Sequence, residues 1–157
     1  MDRMRPCGLL RSKVETGVQI PACPVLSKDG TKMVERKTVD KILKVYGEAW
    51  MKQDPEKILT IFAKNATYHE RVLKKPYVGH GEIKQYWQTK VVQEQAEIKF
   101  RVLKVYIDGD VVIAEWDATF IDKVEKCRKH IKEVAILEIK GERIKSLREY
   151  WASEKVE

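Results

Sequence analysis

Apolar positions between Val39 and Trp50 recur at helical spacing: Val39, Ile42, Leu43, Tyr46, Ala49 and Trp50. The pattern predicts a helix with one apolar, aromatic face. Gln53-Asp54-Pro55 stops that helix and starts another. Asp54 can accept hydrogen bonds from free N–H groups at a helix start, and Pro55 suits the first helical position. Ile58, Leu59 and Phe62 predict a second apolar helix face, which Asn65 breaks. Ala66-Thr67-Tyr68-His69-Glu70 then reads as a short strand. Tyr68 and Glu70 share one face of it and His69 points the other way. A tyrosine on the helix face and a carboxylate at the strand end can therefore meet in one pocket.

Arg71 to Val78 reads as a basic loop, and Gly79-His80-Gly81 as a turn opening a third helix with Ile83, Tyr86, Trp87 and Val91 on its apolar face. From Gln95 the period changes to two. Ile98, Phe100 and Val102 alternate, and Val105 and Ile107 resume out of phase after Lys104, which predicts a bulge. Asp108-Gly109-Asp110 is a hairpin signal. Val111 to Ile121 predicts a long strand, with Val112, Ala114, Trp116, Ala118 and Phe120 on one face. Asp122 to His130 reads as a solvated hairpin end that discourages edge-to-edge aggregation. Ile131 to Ile139 and Arg143 to Ala152 complete a meander around the turn at Lys140-Gly141-Glu142. Helices followed by antiparallel strands make an α+β chain.

The 157 residues suffice for one domain with a real core. Residues 1–32 differ from the rest: Pro and Gly punctuate them and no periodicity holds. They read as an irregular extension before a domain spanning 33–157, with Met33 a natural start; the alternative is an arm that wraps a partner. No secretory apolar core is visible, and no apolar run approaches the ~20 residues of a membrane helix. The formal charge of +7 favours anionic partners in general and reads as a solvated basic surface. Cys7, Cys23 and Cys127 are an odd set without metal-like spacing, so a reducing cytoplasm is the expectation. A Cys7–Cys23 bridge is open.

Five segments together carry a resemblance. They are Tyr46-Gly47-Glu48-Ala49-Trp50, Ile61 to Thr67, Gly79 to Trp87, Gly109 to Trp116, and Ile144 to Trp151. In this order and spacing, from about Met33 to Ser153, the chain resembles the nuclear transport factor 2-like superfamily, closest to its SnoaL-like and ketosteroid-isomerase-like branch. The resemblance implies a cone: three N-terminal helices packed in a curved antiparallel sheet, open at one end onto an apolar pocket. It also implies a homodimer through the outer sheet face. It does not settle function, because the superfamily holds isomerases, dehydratases, cyclases, epoxide hydrolases and non-catalytic assembly modules.

Residue by residue, the resemblance implies that Tyr46 stands where the isomerases have an oxyanion-hole tyrosine, Glu70 where they have the carboxylate base, and Trp151 at a pocket tryptophan. Ala135 stands where they have a protonated aspartic acid, and Phe62 and Trp87 replace supporting tyrosines. One missing donor costs on the order of 3 kcal/mol of transition-state stabilisation, so steroid isomerisation is not expected.

The expected catalytic set is Glu70 as base, Tyr46 as donor and Glu149 as a second carboxylate. Strand alternation puts Glu149 with Leu147 and Trp151, and Glu133 can share a face with Ala135 and Leu137. Carboxylates crowded in a cavity raise one another's pKa and suit acid–base work. Pairing with Arg148 in a shifted register is the structural alternative. The expected binding wall is Trp50, Phe62, Tyr68, Trp87, Trp116, Ala135, Leu147 and Trp151, an aromatic lining suited to a small apolar or ring-bearing molecule. His69, His80 and His130 are scattered, so no metal is expected, and the chemistry envisaged is cofactor-free. Aromatics on the pocket side leave no nucleic-acid surface, and no membrane is expected as a partner. The second reading is a non-catalytic binding or assembly module acting through its sheet face. Val134 and Ile136 are expected on the outer face, covered if the domain dimerises.

Overall fold

The computed structural model describes residues 33–156. The expected irregular extension, its arm alternative and the Cys7–Cys23 question lie outside the described residues. Helix α1 (Arg36–Lys52) buries Val39, Ile42, Leu43, Tyr46, Ala49 and Trp50, the face that the periodicity marks. Gln53 closes it in the left-handed conformation at φ 53°. Asp54 caps α2 (Pro55–Leu59) by accepting from Glu56 N at 3.0 Å and Lys57 N at 2.9 Å.

The second helix is shorter than expected. Phe62 belongs to strand β1 (Phe62–His69), and Asn65 lies inside that strand rather than breaking a helix. The cause is tertiary: Ile61 O accepts from Ile144 N at 2.7 Å, so the chain is drawn into the sheet before another helical turn can form. Strand β2 (Tyr77–Val78) leads into α3 (Gly79–Tyr86), which runs on as a π-helical segment, Trp87–Gln93. Gly79 sits at φ 75°, where a Cβ would also press within 3.2 Å of Lys64 O.

Strands β3 (Gln95–Asp108), β4 (Val111–Asp122), β5 (Cys127–Lys140) and β6 (Arg143–Val156) form an antiparallel meander. The six-stranded curved sheet has the order β2-β1-β6-β5-β4-β3. Its β1–β6 pairing is parallel, where the expectation was wholly antiparallel. The expected bulge falls between Val102 and Lys104, and a second register shift lies between Ala96 and Lys99. From Ile131 onward burial alternates along β5, so Ile131, Glu133, Ala135, Leu137 and Ile139 face the helices. Helix α1 lies close on β3, where a Cβ on Gly47 would meet the Phe100 ring at 2.4 Å. This is the mixed α+β cone expected from the sequence. No helix among the described residues is long and apolar enough to cross a membrane.

Candidate active site

Between the helices and the inner sheet face lies a cavity of ≈ 460 Å³. Its deep part is built by α1, β1, β5 and β6. Tyr46 projects from the apolar face of α1 and Tyr68 from β1, and both reach Glu149 on β6. Tyr46 Oη donates to Glu149 Oε1 at 2.7 Å, and Tyr68 Oη donates to Oε2 at 2.9 Å. Both carboxylate oxygens are thus taken by separate hydroxyls. Glu149 pairs across the ladder with Ala135, while Glu133 pairs with Trp151 on one side and Trp116 on the other. The two carboxyls are therefore diagonal neighbours on the inner face, each only 4% exposed.

Among the described residues Glu133 has no charged partner, and its Oε1 is buried without a hydrogen bond, as are Trp87 Nε1 and Trp116 Nε1. Buried polar atoms are almost always paired, so an unpaired carboxyl oxygen beside the cavity marks a place to receive a polar group. Burial above all lifts the Glu133 carboxyl to about 8. The Trp116 indole N–H, close by but short of hydrogen-bond geometry, acts against that rise, and the charge of Glu70 adds to it. Burial, and then the charge of Glu133, push Glu149 well above the usual carboxylate range, against the two tyrosine hydrogen bonds. Burial and then the Glu149 charge raise Tyr46 and Tyr68 as well, so both hydroxyls keep their protons. The neutralising Arg148 alternative is not realised. Arg148 lies on the other face and pairs with Glu138 at 3.3 Å.

The mouth is different. Glu70 follows the end of β1, with its side chain 18% exposed, and meets Arg71 at 3.4 Å. Burial raises its pKa and Arg71 works in the opposite direction. Trp151 Nε1 donates to Glu70 O at 3.0 Å, and the Arg71 guanidinium lies 5.1 Å from the Trp151 ring centre. On the opposite side Gln53 ties α1 to the π-helical segment and β3, donating to Val91 O at 2.7 Å and Gln95 O at 2.8 Å. Trp50 Nε1 donates to the Gln95 side chain at 2.8 Å. The π-helical segment presents Trp87, Lys90 and Val91 to the cavity, in keeping with the frequent use of such segments at sites.

Of the expected site residues, Glu70, Tyr46 and Glu149 all line the cavity, as do Trp50, Tyr68, Trp87 and Trp151. Phe62, Trp116, Ala135 and Leu147 do not. Each is 0% exposed and belongs to the core beneath the cavity. Strand alternation places them on the inner face but cannot say how deep the helices press onto it. Sequence reasoning left Tyr77, Tyr86, Phe120 and Ile131 out of the site, and offered Glu133 as a further inner-face carboxylate without placing it in the catalytic set. Glu133 carried a usable signal, its alternation with Ala135. The hairpin end is also less solvated than expected: β5 starts at Cys127, and Asp122 and Lys129 line the mouth. Cys127 is free and half-buried. Among the described residues, no cluster of three or more His, Cys, Asp or Glu is placed to hold a metal ion.

Residues 43–147 match the SnoaL-like domain family. The chain belongs to that family. Solved structures agree on the SnoaL-like fold. A hypothetical protein of ketosteroid isomerase-like fold from Catenulispora acidiphila, in complex with trimethylamine, is 22% identical; the match covers 70% of this chain and 84% of that one, with a TM-score of 0.64. The epoxide hydrolase/cyclase-like enzyme SalBIII, described for pyran ring formation in polyether salinomycin, is 22% identical over 75% of this chain and 93% of its own, with a TM-score of 0.65. An LEH-like epoxide hydrolase of M. tuberculosis is 14% identical over 74% and 84%, with a TM-score of 0.62. At these identities the likeness establishes the fold. No curated protein matches the chain.

Proposed function

We propose that this SnoaL-like domain binds a small ring-bearing molecule in its cavity and moves a proton on it without a cofactor, with Glu149 as base and Glu133 as acid. One observation carries the reading: Glu149 is buried with each oxygen held by a different tyrosine hydroxyl, beside a second buried carboxyl whose Oε1 has no hydrogen-bond partner among the described residues. Two crowded carboxyls in an apolar setting do not both ionise, so the pair works in the form that has lost one proton, which burial moves above the ordinary carboxylate range. Two O–H donors favour the charge on Glu149, which leaves the proton on Glu133. Glu149 then takes a proton from the substrate while Glu133 gives one to a substrate oxygen. The pair ends with its proton on the other member. Isomerisation and the opening or closing of an oxygen-containing ring both fit this exchange, and SalBIII and the LEH-like enzyme lend support to such chemistry as a class.

This reading moves the base role from Glu70 to Glu149. Glu70 faces Arg71, which stabilises its charge. Tyr46 becomes a positioning residue, because its hydroxyl is spent on Glu149. The pairing of Ala135 with Glu149 supports the change. The inner-face carboxyl absent at Ala135 stands directly across the ladder, on β6.

The test is incubation with ring-bearing epoxides, enones and hydroxyketones in deuterated water, read by mass spectrometry and NMR. Turnover or deuterium exchange is expected in the wild type and should drop at least about 100-fold in Glu149→Gln. Equal rates in the two folded proteins, or no reaction with any member of the library, would overturn the assignment.

The outer sheet face favours a second role as a meeting surface for another copy of the chain. Tyr106, Ile113, Val134 and Tyr150 are exposed there at 58%, 39%, 40% and 47%, and they adjoin across β3 to β6. Sedimentation of wild type against Val134→Lys tests it. A dimer that the lysine splits supports this role, and a wild-type monomer at high concentration removes it.

A further inference from the structure

The cavity mouth is lined by five cations and three acids, and their pairing is uneven. Arg71 is taken by Glu70 at 3.4 Å, and Lys90 by Glu94 at 2.9 Å. Lys129 is taken by Asp122 at 2.9 Å and by Glu125 at 2.5 Å. Lys74 and Lys75 line the same cavity and make no ion pair among the described residues. Both are exposed, on the short segment between β1 and β2. Each acid of the rim is thus matched, and two positive charges remain over the entrance.

The deep end has the opposite character. It holds Glu133 and Glu149, with no cation within ion-pair distance of either among the described residues. An anionic group carried down to that depth would meet a carboxylate in a low-dielectric setting and be repelled. The same group left at the mouth would meet Lys74 and Lys75.

We propose that the ligand of this cavity is a ring-bearing organic acid. Its anionic group is held at the mouth by Lys74 and Lys75, and its neutral, oxygen-bearing end is directed to Glu133 and Glu149. The proposal rests on the binding reading above and adds the substrate's charge and orientation. It also gives a use to the surplus positive charge, which draws anions toward the opening. Exposed ion pairs are individually weak, so the lysines select and orient the ligand, while the aromatic walls bind its body.

The experiment compares matched pairs of one- and two-ring carboxylic acids and their primary amides, phenylacetic and 2-naphthylacetic acid among them. Binding is measured by calorimetry at low salt. The wild type should bind the acids about tenfold more tightly than the amides, roughly threefold per lysine. That preference should fall to twofold or less in Lys74→Ala/Lys75→Ala, with amide affinity unchanged. It should persist in Lys74→Arg/Lys75→Arg and shrink as salt is raised. Acids and amides binding the wild type equally would overturn the proposal while leaving the cavity a binding site. So would a preference that survives in the alanine variant. Failure of both acids and amides to bind at all would overturn the binding reading with it.

Discussion

Glu133 and Asp122 belong to neighbouring strands and line one cavity, yet their carboxyl groups are driven in opposite directions. Asp122 sits at the end of β4 and is held below the usual range, mainly by its hydrogen bond from Lys129. Its Oδ1 also accepts from Val124 N and Glu125 N, both at 2.9 Å. Glu133 sits inside β5 with no cation paired to it among the described residues, and burial lifts it to about 8. The residues differ by one methylene, so the difference lies in their positions. A strand end meets water and flexible lysines, whereas a strand interior under a helix meets indole and phenol rings. An acid that keeps its proton at neutral pH can donate it, and one that is always ionised can only hold a partner.

Four measurements would break or sharpen that comparison. The largest effect is expected at the deep end. Glu149→Gln should lower turnover by about 10² to 10⁴, whereas Asp122→Asn should leave turnover within a fewfold.

Next is the dependence of stability on pH. Glu133 keeps its proton in the fold and loses it in the unfolded chain between its ordinary value of 4.5 and about 8. Over that window the unfolded state binds fewer protons, so the Glu133 contribution to stability is fully present below pH 4.5 and falls as pH rises toward 8, by ~1.4 kcal/mol per pH unit for one such group. Chemical denaturation across the window should show this slope, and Glu133→Gln should remove one proton's worth of it. An unchanged slope in the variant would mean that Glu133 is not the group responsible.

Third, Tyr68→Phe takes one donor from Glu149, at a cost of about 1.5–3 kcal/mol when the carboxylate is charged. It should also shift the pH–rate profile upward on its lower limb. A purely packing role for Tyr68 would leave that profile in place.

The smallest effect is at the rim. Asp122→Asn keeps an acceptor for the turn but loses the ion pair, and should cost about 1 kcal/mol or less. Because the Asp122 pKa is depressed, this contribution is present at neutral pH and lost as pH falls through the folded value, the reverse of Glu133. Denaturation of the two proteins at pH 7 and pH 3 separates the signs.

The order of elements was readable wherever one physical rule dominated. The helical spacing of Val39 to Trp50, the Asp54 cap and the Asp108-Gly109 turn each express local chemistry, and each stands in the structure. Readings went astray where distant partners decided. Phe62 continues a helical pattern, but Ile144 captures its neighbour Ile61 and makes Phe62 the start of a strand. Trp116 and Leu147 share the inner face with cavity residues, but the helices bury them completely. Glu149 was legible as an inward-facing carboxylate; its two tyrosine partners, 103 and 81 residues away in the chain, were not.

The chain's own periodicities determined which face of each helix and strand turns inward, because burying apolar surface is the main force in folding and its pattern is written locally. Those periodicities grouped Tyr46, Tyr68, Glu133 and Glu149 with apolar neighbours on one face of their elements, and the family resemblance turned the Glu149 face inward. Only the tertiary structure decided that Glu149 lies between two hydroxyls, that Glu133 Oε1 has no partner among the described residues, and that Lys74 and Lys75 are the cations those residues leave over at the mouth. Hydrogen bonds and ion pairs act over a few ångströms, and the sheet's register and the depth of the helices bring those groups within that range or keep them apart.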